Sequence, residues 1–437
     1  MHIRLLILFV LAYAAAHPAP ASGDSLSSHT GVKTVNLDLS EGTWMSLDVS
    51  PDGKFISFDL LNDIYVMPAS GGKAVAIHQG SVAQRSPQFS ADGQFLTYLS
   101  DESGADNVWV SRVDGSEARQ ITQESHAMIA GPAWAADGKS IAAVKTYSDI
   151  FRVRNSEIHL YNLDGTSDEI IVSPPQSGKD VQEPRFSPDG RYLYYTERIG
   201  GDHYVYMNTG LKNFAINKLD LETGKKRRAI SGFGGASTPQ VSPDGNSVAF
   251  IRRLGAKTVL FVKDLETGYE QPIYDELGRD LHGDYLPQEH YYPSFDWFPD
   301  NRTIAIWAKG KIVRIDTHSA SAEEIPFSLT SRHELQPAIR VKQDLAPEQV
   351  TIRTLRQLAP QPNGQTMLFR AVGKLWKIKM DAPARPARLT TSDAAESDPA
   401  WSPDGQKIVY TNWTDQTGSR LVIRNAATGE ERTIVES

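Results

Sequence analysis

The chain has 437 residues, of which 40% are hydrophobic and 22% charged, a globular composition with room for several ordinary domains or one repeat array. A formal net charge of −8 argues against a nucleic-acid partner, and the single basic run, Lys-Lys-Arg-Arg at 225–228, reads as a solvated loop. The absence of cysteine excludes a disulfide framework, a thiolate metal site and a lipid-attachment cysteine.

The first segment, MHIRLLILFVLAYAAAHPAPASG, has a basic start (His2, Arg4), an apolar run over 5–16 and small residues after it. That pattern predicts a secretory signal peptide over 1–21, since the run is shorter than the ~20 residues needed to span a bilayer. Two small-x-small cleavage sites are open, Ala14-Ala-Ala16 and Ala19-Pro-Ala21. The predicted location is periplasmic or secreted, and a cysteine-free exported chain fits an oxidising periplasm. A short linker follows over 22–32.

From residue 33 the chain repeats itself. A Ser-Pro-Asp-Gly turn, or a close variant, centres on Asp52, Asp92, Asp137, Asp189, Asp244, Asp300, Asn363 and Asp404, at spacings of 40, 45, 52, 55, 56, 63 and 41 residues. Proline presets the first central position of a type I turn, and glycine accepts the left-handed conformation that ends it. Before each turn stands a strand with an aromatic, such as Ser86-Pro-Gln-Phe89 or Gly131-Pro-Ala-Trp134. After it come an apolar strand (Phe95-Leu-Thr-Tyr98), a third strand (Asn107-Val-Trp-Val110), a Gly turn (Asp114-Gly115) and a fourth strand (Arg119-Gln-Ile-Thr122). Four antiparallel strands every 40–60 residues are one propeller blade. The predicted fold is therefore all-β: a β-propeller of eight four-stranded antiparallel repeats over 33–437. Phe89, Trp134, Phe186 and Trp401 are expected to pack blade on blade. Small residues such as Ala133 and Ala400 suit an innermost strand close to the axis.

Two ring closures are open. The strand at 33–39 precedes the first unit and is placed to complete the last blade of a ring of about eight. Alternatively, six blades end near Thr330, with 324–329 as the fourth strand of unit six, and a second array starts at an extra strand, 339–345. That alternative divides the chain into 33–330 and 337–437.

The repeat resembles the TolB-like, WD-repeat-like propellers of bacterial exported proteins over nearly all of 33–437. Three stretches, EGTWMSLDVSPDGKFISFDLLNDIY (41–65), YYPSFDWFPDNRTIAIWAKGKIVRID (291–316) and VTIRTLRQLAPQPNGQTMLFRAVGKLW (350–376), are similar to the N-terminal propeller region of exported amidohydrolase-family proteins. The resemblance implies a propeller whose metal-dependent hydrolase barrel is absent from this chain. It also implies a hydrolase domain, or a periplasmic protein or peptide, as partner.

The residues supply no catalytic set. No two of the eleven histidines stand in a His-x-His pair, so no metal ligand of an amidohydrolase barrel carries over. Gly-x-Ser-x-Gly is also missing. No cofactor, metal or catalytic residue is expected, and Asp101-Glu-Ser-Gly-Ala-Asp-Asn107 reads as an ordinary loop rather than a calcium site. The most polar insertions are 199–206 and 281–292. Their His203, Tyr204, His282, Asp284, Glu289, His290 and Tyr291 are the candidate binding face at one end of the ring, with an exposed insertion packing on the propeller face as the competing reading. The expected function is an exported, non-catalytic binding or gating module. The alternatives are part of a metal-dependent amidohydrolase and a stand-alone TolB-like interaction protein.

Overall fold

The computed structural model describes residues 32–148, 154–174, 180–200, 213–282, 290–335, 344, 346–381 and 385–436. The expected signal peptide, residues 22–31 of the linker, and all but Asp344 of the extra strand at 339–345 lie outside them. Among the described residues every regular element is a strand.

Each repeat is organised by its turn. Ser50 Oγ donates to Asp52 Oδ1 (2.7 Å) and accepts from Phe55 N (2.9 Å), while Asp52 Oδ1 also accepts from Lys54 N (3.1 Å). The same three bonds recur around Ser90 and Asp92, Ser187 and Asp189, Ser242 and Asp244, and Ser402 and Asp404. Serine and aspartate therefore satisfy the backbone donors of a tight turn that helix or sheet would otherwise satisfy. These bonds, led by the one from Ser50, favour the ionised form and hold the Asp52 carboxyl down at about 2. Proline and glycine have a second role between repeats. A Cβ added to Gly53, which sits at φ +70°, would meet the Pro299 ring at 2.9 Å.

Eight four-stranded antiparallel sheets follow, numbered one to eight, over 47–78, 84–120, 128–172, 181–230, 237–274, 296–324, 356–388 and 395–436. The basic run at 225–228 lies at the start of the exposed outer strand Lys226–Ile230 of sheet four, not in a loop. The inner strands of sheets two, three, four, five and eight each shift register at a residue with positive φ placed just before a proline: Ser86, Gly131, Glu183, Thr238 and Asp398. Such a bulge bends the strand and re-aims its side chains.

The apolar core lies between sheets, because one face of each sheet is covered by the opposite face of the next. Leu99 and Val108 of sheet two pack with Ile141 and Ala143 of sheet three. Val144 and Ile158 of sheet three pack with Leu193 and Tyr195 of sheet four. Ile216 of sheet four packs with Val248 and Phe250 of sheet five.

The chain forms two compact units, residues 1–338 and 339–437. In the first, six sheets close into a ring. One cluster joins sheets five, six and one, with Leu260, Ile304, Ile312, Ile56 and Phe58 among its members. The seam is also bonded along the backbone, with Leu47 N donating to Ser294 O at 2.9 Å. Of the two closures open in the sequence, the structure takes the six-sheet ring. The second unit holds sheets seven and eight, with Leu368 and Leu375 packed on Ile408 and Tyr410.

Two strand expectations are corrected. Strand Lys33–Leu39 joins neither end sheet of the ring; it pairs antiparallel with Phe327–Leu335, which runs parallel to Gly72–Lys73 in a separate three-stranded sheet. The fourth strand of sheet six is Ala322–Glu324 rather than 324–329. Pro326 follows it, and Phe327 starts the new strand by pairing with sheet one's own connection at Gly72.

The turn geometry yields a test. Gly53→Ala should lose roughly 1–2 kcal/mol from the left-handed backbone alone, plus the cost of displacing Pro299. Gly138→Ala (φ +65°, with nothing within 4 Å of an added Cβ) should lose only the backbone part. Urea unfolding midpoints of the two variants check the order, and equal losses would contradict the packing role of the turn.

Candidate functional site

The inner strands face the ring axis, and one position decides its chemistry. Two residues before the first residue of each turn stand Asp48, Gln88, Ala133, Arg185, Gln240 and Asp296 in sheets one to six. Small residues were expected here from Ala133 and Ala400, yet five of these six are polar. Most of them tie one sheet to another. Asp48 Oδ2 accepts from Phe89 N (2.7 Å), Gln88 Oε1 from Trp134 N (2.8 Å), and Asp296 Oδ2 from Val49 N (3.3 Å). Arg185 donates Nε–H to Gln240 Oε1 (3.1 Å) and Nη2–H to Ser294 Oγ (2.7 Å).

Buried charge shapes the titration of this ring. Burial, followed by the neighbouring Asp296 carboxylate, raises Asp48 well above the ordinary carboxylate range. Burial likewise raises Asp296 to about 6, against the opposing pull of backbone donors and Arg185. The pair spans the seam where the ring closes.

Two described stretches between sheets five and six, 275–282 and 290–295, reach the inner strands at this end of the channel. Tyr291 N donates to Glu183 Oε1 (2.7 Å) on sheet four. Glu183 also accepts from Thr196 Oγ1 (2.6 Å), Thr238 N (2.6 Å) and Thr238 Oγ1 (2.9 Å), so a carboxyl raised by burial is fully bonded. His290 Nε2 lies 3.3 Å from Ser86 Oγ on sheet two, and its ring rests against Gly131 on sheet three. His282 Nε2 lies 2.7 Å from Ser237 Oγ on sheet five. Phe214 stacks on His282 (4.8 Å) and tilts against Tyr291 (4.3 Å).

The structure thus brings His282, His290 and Tyr291 together, but as buried groups rather than an exposed insertion. His203, Tyr204, Asp284 and Glu289 lie outside the described residues. Burial lowers both histidines, His290 to about 3 with Arg185 adding to the effect, so both rings are neutral at physiological pH. They plug the channel instead of carrying charge.

Beside the plug opens a cavity of about 640 Å³, lined among others by Thr43, Trp44, Asp59, Asn62, Arg85 and His290. Trp44 adopts φ 60° and stands 6.0 Å from the Tyr292 ring and 6.1 Å from Trp307. Asp59 accepts from Ser46 N (2.9 Å) and Ser86 N (2.7 Å), and Arg85 bridges to Asp106 at 2.9 Å. The cavity offers an aromatic wall with hydrogen-bonding groups of both signs, which is the make-up of a recognition pocket. Among the described residues no three His, Asp or Glu side chains gather as a metal would require. Sequence reasoning missed Trp44, Asp59 and Arg85: Trp44 meets its aromatic partners only across the ring seam, at Tyr292 and Trp307, and Asp59 and Arg85 carry no motif.

The acid pair predicts a pH dependence. A carboxyl raised in the folded state binds its proton more tightly there, so its stabilising contribution is full below the unfolded value and is lost as pH rises through about 6. Asp296→Asn should therefore gain stability relative to the parent between pH 4 and pH 7, on the order of 1–3 kcal/mol. Paired urea titrations at a series of pH values measure it; a pH-independent difference would contradict the assignment.

With this geometry in place, comparisons with known proteins fall on one theme. Residues 29–209 match the family model described as the TolB beta propeller domain. An uncharacterised protein of Agrobacterium fabrum is 28% identical over 153 residues, covering 33% of this chain and 52% of that protein. Tricorn protease homolog 1 of Streptomyces coelicolor is 30% identical over 155 residues, covering 35% of this chain and 14% of that protein. The chain thus spans about half the length of the first relative and a small part of the second. The crystal structure of TolB from Acinetobacter baumannii superposes with a TM-score of 0.48 at 17% identity, over 66% of this chain and 65% of that one. The match over 29–209 is a similarity to that domain, and the four-stranded antiparallel sheets are those of a propeller-type fold.

Proposed function

We propose that this chain is an exported, non-catalytic propeller module that binds a protein or peptide partner at the plugged end of its six-sheet ring. The observation that carries the reading is the cavity beside His290. It combines an aromatic wall at Trp44 with donors and acceptors already held in place by sheets one and two. A polar recess on a rigid β scaffold suits recognition, because its groups need little ordering when a partner arrives. The signal-peptide pattern at 1–21 supports export, and the match to a TolB propeller model supports an interaction role.

A second reading places the module beside a hydrolase. The match to a tricorn protease homolog and the three stretches similar to amidohydrolase propeller regions favour it. On this reading the propeller gates or docks a catalytic domain and performs no bond cleavage itself. Purified residues 22–437 should show no amide hydrolysis with or without zinc.

Photo-crosslinking tests the primary reading. A benzophenone side chain at Asn62 in the cavity should capture a discrete envelope protein in cells, and Trp44→Ala should abolish that capture. The same probe at Lys139, on the turn that follows an inner strand at the opposite end, should capture none. Equal capture from both positions, or none from Asn62, would contradict the proposal.

A further inference from the structure

The ring sheets define what a covered face looks like. On the third strand of each sheet one position faces the following sheet: Ile64, Val108, Ile158, Ile216, Leu260 and Ile312 in sheets one to six. Each pairs across to the second strand at the equivalent register. All six are 0% exposed, as is Leu375, their counterpart in sheet seven, which lies under sheet eight. The counterpart in sheet eight is Leu421, paired with Thr411, and it is partly exposed.

The neighbouring positions agree. Val409 corresponds to Ser57, Thr97, Ala142, Tyr194, Ala249 and Ala305, each at most 1% exposed, yet Val409 is partly exposed. Ala400 corresponds to the buried Ala133 and is exposed. On the same face Trp413 and Val435 are 46% and 55% exposed. The opposite face of sheet eight, with Ile408, Tyr410 and Val422, is buried against sheet seven.

The covering partner has a recognisable chemistry. In three interfaces a tryptophan indole N–H of the following sheet donates to the axial-position carbonyl of the sheet before it. Trp134 donates to Gln88 O, Trp297 to Gln240 O and Trp401 to Ala359 O, each at 3.1 Å. The equivalent acceptor on sheet eight is Ala400 O. We infer that the Val409–Leu421 face of sheet eight is a docking surface for a further four-stranded sheet of this same repeat. The incoming sheet carries an aromatic N–H donor aimed at Ala400 O and an apolar second strand laid over Val409 and Leu421. The surface continues, in register, the seven sheet-to-sheet interfaces already present. A second copy of the chain docking head to tail would have to displace what covers Phe369 and Ala371 on the complementary face of sheet seven, which are 4% and 3% exposed, whereas Trp413 and Val435 on the sheet-eight face stand open. The inference does not rest on the channel-end binding site.

The cysteine-free sequence gives a clean readout. Leu421→Cys is made in the chain from residue 22 onward, and in the same chain followed by a duplicate of residues 385–437 as a ninth sheet. Maleimide labelling should be fast in the first and slower by about tenfold or more in the second. Leu375→Cys should stay unreactive in both, which shows that sheets seven and eight remain folded. Replacing the tryptophan of the duplicate that matches Trp401 by alanine should restore much of the labelling. Equal labelling with and without the ninth sheet would overturn the inference. So would slow labelling in the shorter chain, whether it sediments as a dimer, which makes a second copy the occupant, or as a monomer, which means the face is already covered.

Discussion

A four-stranded sheet with two apolar faces cannot stand in water by itself, and that constraint governs this molecule. Positions such as Val108, Ile158 and Ile216 are fully buried only because the next sheet lies on them. Each such side chain stabilises the fold by about 1.5–3 kcal/mol when removed from water, so stability is distributed over interfaces and not held in one centre. A linear stack would leave two faces wet. Closing sheet six onto sheet one removes both, and the cluster joining Ile304 and Ile312 to Ile56 and Phe58 is the result.

Closure brings six inner strands together, and what they present to the axis is polar. Asp48, Arg185 and Gln240 are removed from bulk water and Asp296 is half-buried, which is unfavourable unless each finds a partner. They find partners in the neighbouring strands, so the axial residues also lock the order of the sheets. Glu183 extends this logic to the plug, because its carboxyl joins sheets four and five to the segment that arrives at Tyr291. A recess opens beside His290. The functional proposal follows from that shape: a rigid rim and an aromatic wall.

Much of the fold was legible in local sequence because the turn is a local object. Ser50, Asp52 and Gly53 make their hydrogen bonds within a few residues, so the pattern announces itself wherever it recurs. Trp134 and Trp401 were likewise readable as packing groups, although their indole bonds to the preceding sheet were not. What stayed hidden depends on partners far along the chain. His290 looks like an exposed insertion residue until Ser86, 204 residues away, is placed beside it. Strand Lys33–Leu39 has no local signal for its pairing with Phe327–Leu335. The axial position misled because Ala133 and Ala400 are small, whereas the four charged or amide residues just described meet only when the ring closes.

Closure at six sheets is the claim on which the channel, the acid pair and the plug all depend. Because the chain contains no cysteine, engineered disulfides report neighbours at the seam without background. Gly53→Cys combined with Pro299→Cys should crosslink under mild oxidation, since the two positions touch across sheets one and six, and Gly53→Cys combined with Pro403→Cys should not. Efficient 53–403 crosslinking with none at 53–299 would mean that sheet eight, not sheet six, lies beside sheet one, and would contradict the account.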